Sequence, residues 1–315
     1  MLKIDSIAIN MNQTIIKKDL AFLIAVTPNI AFAGANVALS INRHMPNQNY
    51  DIVIYYSHLP EGDINAFKKI PNVKLVNFNL SDSFVSHMLP LIPKESRFKT
   101  INHLMCFAHF EIFTLLEQYH KAVWLDADIL IQKDINELVN FVPFGISTDF
   151  PWKVQINFDR PVPGYNMDLD GYCSAVMVAD DTLPYKKLHQ WCYKKAEEYA
   201  SYLINLDQGI INLMFQEFNI TPSILEQKNW QCSHTWEKYA VNATIVHFGY
   251  NKKVWNDLYT FISYPQWHKQ HLEWLDFGGS DFEKHKKFIK KNLFPKFFIF
   301  LKNNIKKLIK RNNLP

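Results

Sequence analysis

The stretch 122-AVWLDADILI-131 carries an apolar run straight into two carboxylates one residue apart, Asp126 and Asp128, before hydrophobic residues resume. Like charges repel and a carboxylate resists burial, so this pair needs water, a cationic side chain or a metal as its partner. Side chains at i and i+2 of an extended chain share a face, so both can reach one cation. Hard oxygen ligands of this kind suit Mg²⁺ or Mn²⁺ holding a diphosphate. The plain alternative is a finished strand that leaves two solvated acids in a loop, and D-x-D alone does not separate the two.

Working outward, short runs rich in Val, Ile and aromatics alternate with helical patterns. Strands are expected at 21–27, 50–57, 72–79 and 122–128, with helices near 30–42, 63–69 and 100–119. Such β-α-β-α alternation predicts an α/β fold: a mostly parallel sheet with helices on both faces. Ligands of these sheets bind beyond the carboxyl ends of the strands, which brings Thr27 and Asn29 near Asp126 and Asp128. Neither G-x-G-x-x-G nor a P-loop occurs. Further on, 143–148 and 174–180 read as core strands, and the proline-bearing 151–171 as a substrate-facing loop or lid. Helices are expected at 185–203 and 206–216, and a last strand at 243–248.

The composition fits an enzyme-sized core: 315 residues, 48% hydrophobic and 15% aromatic. The four cysteines, Cys106, Cys173, Cys192 and Cys232, lack C-x-x-C spacing and read as reduced core residues of an intracellular protein. The segment 17-KKDLAFLIAVTPNIAFAGA-35 has some marks of a secretory signal. Asp19 at its front and Pro28-Asn29 within it favour a core strand running into a helix instead. No stretch reaches the ~20 apolar residues that span a bilayer.

Three other places carry chemistry. His247 ends the apolar run 243–248 and can complete a metal's ligands beside two acids, although a lone histidine is more often packed or on the surface. Lys252, five residues on, supplies positive charge for a diphosphate, against a solvated Lys252-Lys253 pair as the bland reading. Asp207-Gln208 opens a helix, where an acid also serves as a cap. His268 and His271 have helical i, i+3 spacing, but with no further ligand nearby they read as surface residues.

The order and spacing of these pieces resemble glycosyltransferase family eight, whose bacterial members include lipopolysaccharide galactosyltransferases. The matching pieces are AVTPN, VWLDADILI, GISTDF, YCSAVMVAD, LDQGIIN and HFGYNKKVW, spread over about three quarters of the chain. The resemblance implies a GT-A fold and retaining transfer of a hexose, galactose or glucose, from a nucleotide diphosphate sugar such as a UDP-sugar. The cofactor implied is Mn²⁺ or Mg²⁺, and the acceptor a glycan or glycolipid such as lipopolysaccharide. Carried over by motif, Asp126, Asp128 and His247 match the metal ligands, and Asp207 and Gln208 the pair beside the donor sugar. Ala25, Thr27, Asn29, Ala127 and Ser174 fall among the donor- and acceptor-binding positions, with Asp149 lining the pocket and Gly249 and Lys252 holding the diphosphate. His109 stands where an arginine commonly contacts the donor, and Cys173 replaces an Asn. These departures bear on donor recognition rather than on the metal.

The +4 formal charge conceals an asymmetry: eleven Lys or Arg and no acid lie between Lys284 and Arg311, leaving a body of net −7. Interleaved with Phe, Ile and Leu, these lysines suit a helix lying on an anionic membrane surface rather than on nucleic acid. The expected division is a catalytic domain over 1–260, a connecting segment over 261–283 and a basic amphipathic helical tail over 284–315. The expected location is cytoplasmic, peripheral on the inner face of the plasma membrane. Two other readings stay open on the residues alone. A haloacid-dehalogenase-like phosphatase also ends a strand in D-x-D, but its nucleophile lies near the chain start and Leu130 stands where it has Thr or Val. A non-catalytic membrane adaptor leaves Asp126, Asp128 and His247 without purpose.

Overall fold

A computed structural model of the chain describes residues 16–46, 49–249 and 251–291. Its first half alternates strands and helices: β1 Lys18–Val26, α1 Ala31–His44, β2 Tyr50–Tyr56, α2 Glu61–Phe67, β3 Val73–Asn77, α3 Asp82–Leu91, α4 Glu111–Leu115 and β4 Tyr119–Leu125. Then come β5 Ile129–Ile131, β6 Phe144–Lys153, β7 Asp170–Asp180, α5 Tyr185–Glu198, α6 Leu206–Glu217 and β8 Ser223–Leu225. The last part holds α7 Gln227–Trp230, β9 Cys232–Ser233, α8 Glu237–Ala240, β10 Ile245–His247, α9 Leu258–Ser263 and α10 Pro265–Asp276.

Seven strands form one sheet in the order β3-β2-β1-β4-β7-β6-β8, and β5-β10-β9 form a small second sheet. The β3-β2-β1-β4 half is parallel throughout; β7 runs antiparallel to both β4 and β6. The expected mostly parallel sheet covered on both faces is therefore present. In β1, Phe22, Ile24 and Val26 face one apolar layer, while Ala21, Leu23 and Ala25 face the other. Seven consecutive buried residues in this strand reflect burial on two sides, as a central parallel strand requires. Gly34 lets α1 sit close on β1, since a Cβ there would lie 2.3 Å from Val26 Cγ1.

Three differences from the sequence reading matter. The expected helix over 100–119 is a 3₁₀ run, Ile101–Phe110, leading into α4. With three residues per turn, residues 106 and 109 eclipse, which matters at the site below. Residues 82–91 form α3, a helix the apolar spacing did not announce; Ser81 Oγ accepts from the Phe84 amide at 3.2 Å and caps it. His271, read as a surface residue, is fully buried on α10 between Trp267 and Phe282.

Residues 261–291 lie against the body. Trp267 and Trp274 are fully buried, and Phe282, His285 and Phe288 pack around Phe261. Of the expected tail over 284–315, the part from 292 onward lies outside the described residues. Among the described residues no helix is long and apolar enough to cross a membrane.

Candidate active site

The site forms at the carboxyl edge of the parallel strands, where β4 ends at Leu125 and releases Asp126-Ala127-Asp128. The Asp126 amide still donates to the Ala175 carbonyl at 2.9 Å, so β7 fixes the turn before the chain leaves the sheet. Antiparallel pairing of β5 with β10 sets His247 opposite Ile129. Ligand atoms of Asp126, Asp128 and His247 consequently lie within 4.8 Å of one another. Two hard oxygens and an imidazole nitrogen in that space fit a divalent cation such as Mn²⁺ or Mg²⁺. Gly249 is buried beside them, and a Cβ there would lie 3.2 Å from His247 Cε1, so glycine leaves the imidazole its room.

Asp128 has two basic neighbours. His247 Nε2 lies 3.3 Å from Oδ1, and Lys253 forms a short ion pair with Oδ2. Burial opposes ionisation of Asp128, but these two neighbours outweigh it and hold the carboxyl far below its usual range. Burial likewise disfavours the His247 imidazolium, and the aspartates reverse that and raise its pKa. The lysine that reaches the carboxylates is therefore Lys253, while Lys252 is exposed and lies near Asp257.

Asp126 is held from the opposite side. Trp124 Nε1 donates to its Oδ1 at 2.7 Å, and His109 Nε2 lies 3.1 Å from the same oxygen. The 3₁₀ turn brings the Cys106 carbonyl to 2.5 Å from His109 Nδ1, which must donate to it. Asp207 Oδ2 stands 3.3 Å from the same Nδ1. Burial would push the His109 pKa down, yet Asp207 and Asp126 together raise it. The His109 ring, tilted 32° to the Trp124 ring with centroids 3.7 Å apart, thus bridges Asp126 and Asp207.

Asp207 is not a helix cap. Asn205 occupies that position without a side-chain cap bond, whereas the buried Asp207 carboxylate accepts from Ser174 Oγ at 2.9 Å. Gln208, the next residue, donates through Nε2 to Asp149 Oδ2 at 3.1 Å and to Asn157 Oδ1 at 3.0 Å. Its Oε1 accepts from the Ser174 amide at 3.4 Å. Burial raises the Asp149 pKa despite the Gln208 hydrogen bond.

Thr27 and Asn29 follow β1, with Thr27 Oγ1 donating to Asn29 Oδ1 at 2.5 Å, and Ala25 is buried just before them. Ala127 packs partly buried between the two aspartates. The structure adds three residues that the sequence reading passed over: Lys253, Trp124 and Asn157. Trp124 was visible two residues before Asp126, and Lys253 beside Lys252. Asn157 carried no signal; it is fully buried in the segment expected as a loop or lid, of which Trp152 is exposed, as is Phe150 just before it.

The sequence is 23% identical to glycogenin-2 from Homo sapiens over 251 residues, covering 76% of this chain and 44% of that protein. It is 25% identical to glycogenin-1 from Caenorhabditis elegans over 215 residues, covering 64% of this chain and 43% of that protein. The chain thus spans less than half the length of these curated relatives. A crystal structure of the galactosyltransferase LgtC, in complex with donor and acceptor sugar analogues, superposes with TM-score 0.60 at 13% identity. That match covers 80% of this chain and 95% of LgtC, and at such identity it shows the GT-A fold. The family profile of glycosyl transferase family 8 matches residues 21–259, the span holding every site residue described above, and the chain belongs to that family.

Proposed function

We propose that the protein transfers a hexose, galactose or glucose, from a UDP-linked donor to a glycan or glycolipid acceptor such as lipopolysaccharide, with retention of anomeric configuration. One observation carries the reading. The Asp126, Asp128 and His247 ligand atoms meet within 4.8 Å at the sheet's ligand edge, and Lys253 stands at Asp128. Across the turn, His109 and Ser174 tie this group to Asp207, and Gln208 and Asp149 follow.

Asp126, Asp128 and His247 would hold Mn²⁺ or Mg²⁺, which when bound supplies charge compensation for a diphosphate. Lys253 supplies a further positive charge for the developing nucleoside diphosphate as the anomeric C–O bond breaks. For retention, the acceptor hydroxyl forms its new bond on the face the leaving group vacates. A departing phosphate oxygen takes the hydroxyl proton, so the step balances without another base. Gln208, oriented by Asp149 and Asn157, faces the developing oxocarbenium ion as its stabiliser. Exposed Phe150 and Trp152 directly after Asp149 offer an acceptor an aromatic edge.

The test is isothermal titration and turnover against a panel of nucleotide sugars, with Mn²⁺ and with excess EDTA. A UDP-hexose should bind and turn over only with the metal. Full activity in EDTA, or preference for a non-uridine donor, overturns the corresponding part of the reading.

A further inference from the structure

The turns around α10 hold a second cluster of metal-ligating side chains that the transfer reaction does not use. Ligand atoms of His271, Asp281 and His285 lie within 4.8 Å of one another. His271 Nε2 is 2.9 Å from Asp281 Oδ1, and His285 Nδ1 is 2.9 Å from the same oxygen. The two histidines are buried, at 0% and 3% exposure, while the Asp281 side chain is 35% exposed. Zinc bonds of ~2.0–2.1 Å at tetrahedral angles set ligand atoms ~3.3 Å apart, a few tenths of an ångström more than these two carboxylate–imidazole distances.

We propose that His271, Asp281 and His285 form a second cation site, which takes Zn²⁺ and fastens residues 281–291 to α10. Two imidazoles and one carboxylate are a borderline donor set that favours zinc, unlike the oxygen-rich set at Asp126 and Asp128. The exposed side of Asp281 leaves the fourth position to water.

The surroundings supply an outer shell. With His285 Nδ1 directed at the ion, its Nε2–H can donate to His268 Nε2, 3.0 Å away, which fixes the tautomer. Trp267 stacks on His271 with ring centroids 5.3 Å apart, and Phe282 packs on both histidines. Phe32 of α1 touches Trp255, Trp267, His271 and Phe282, so the cluster sits behind the loop that carries Lys253. Loss of the ion would loosen residues 281–291 first. The inference does not depend on the transferase reading.

The experiment uses the full chain with Asp126→Asn and Asp128→Asn together, so that the first site no longer holds metal. After EDTA stripping, zinc loading and gel filtration, this protein should retain one zinc per chain. Cobalt in its place should show the visible d–d absorption of a four-coordinate site. Adding Asp281→Asn, nearly isosteric and on the exposed ligand, should weaken zinc binding about a hundredfold and abolish the zinc-induced rise in Tm. His285→Gln should do the same, and it serves if Asp281→Asn fails to fold. A zinc-free parent protein overturns the proposal, as does a Tm indifferent to zinc. Undiminished zinc in either variant overturns it too. In those cases the cluster is only a hydrogen-bonded latch.

Discussion

Lys253 and Asp128, 125 residues apart in sequence, form a direct ion pair at the carboxyl edge of the sheet, and His247 faces the other oxygen of the same carboxylate. The Asp128 carboxylate is therefore neutralised from two sides by basic groups. Lys253→Ala should cost about 1.5–3 kcal/mol of donor binding, roughly 10- to 100-fold in affinity, as expected for a charge-assisted phosphate contact. Lys252→Ala should change it less than about threefold, since that side chain is exposed. Titration of UDP in Mn²⁺ with both variants decides which lysine acts. Equal losses would refute the assignment to Lys253.

Gln208 is held by Asp149, Asn157 and the Ser174 amide, three partners that fix the direction of its amide group. Gln208→Ala should lower kcat by roughly 10²–10³-fold, the usual cost of one preorganised group at a developing charge, while donor affinity stays within a few-fold. Asn157→Ala should lower kcat by less, because Asp149 still holds the amide. Single-turnover rates beside donor titrations separate the two quantities. A Gln208→Ala protein with normal kcat would exclude Gln208 from the reaction.

Far from the site, buried Asp51 accepts from Lys74 at 2.7 Å, Tyr119 at 2.7 Å and Lys18 at 2.9 Å. Burial raises its pKa, but the three donors outweigh burial and leave it below the ordinary value of 3.8. A carboxyl with a depressed folded pKa adds stability above its unfolded pKa and loses it as pH falls through the folded value. That contribution should be whole above about pH 4–5 and fade below it. Asp51→Asn should destabilise by about 1–3 kcal/mol at neutral pH, with much of the difference gone at pH 3. Denaturant melts of both proteins at pH 7 and pH 3 provide the measurement; a pH-independent difference would contradict the ionic account.

The truncation that tests membrane association should begin at residue 292. His285 and Phe288 are buried against the body, so removal from 284 would damage the fold as well as the tail. Residues 292–315 still carry six basic side chains, each worth about 1 kcal/mol near an anionic leaflet. Loss of this segment should release the protein from phosphatidylserine vesicles and leave turnover on a soluble acceptor intact. Salt should weaken, without abolishing, sedimentation of the full chain with those vesicles. Co-sedimentation of the shortened chain equal to that of the full one would place the membrane contact elsewhere.

The sequence by itself determined the alternation of the central strands with most of their helices, and the placing of Asp126 and Asp128 at the sheet's ligand edge. Both follow from local patterns: apolar period, strand length, and the rule that parallel strands present ligands at their carboxyl ends. It also set the family, because six short motifs in order survive the loss of overall similarity. Tertiary structure alone decided between neighbouring lysines: Val254 is buried in the core, and the turn before it aims Lys253 at Asp128 while Lys252 faces solvent. It alone made His109 a bridge between Asp126 and Asp207, since the 3₁₀ geometry of residues 101–110 sets that ring's direction. It brought Asn157 to Gln208, and it buried His271 beside Asp281 and His285. Each of these is a meeting of side chains from separate elements. Sequence periodicity fixes which face of an element is buried, whereas packing of one element on another fixes which side chains touch.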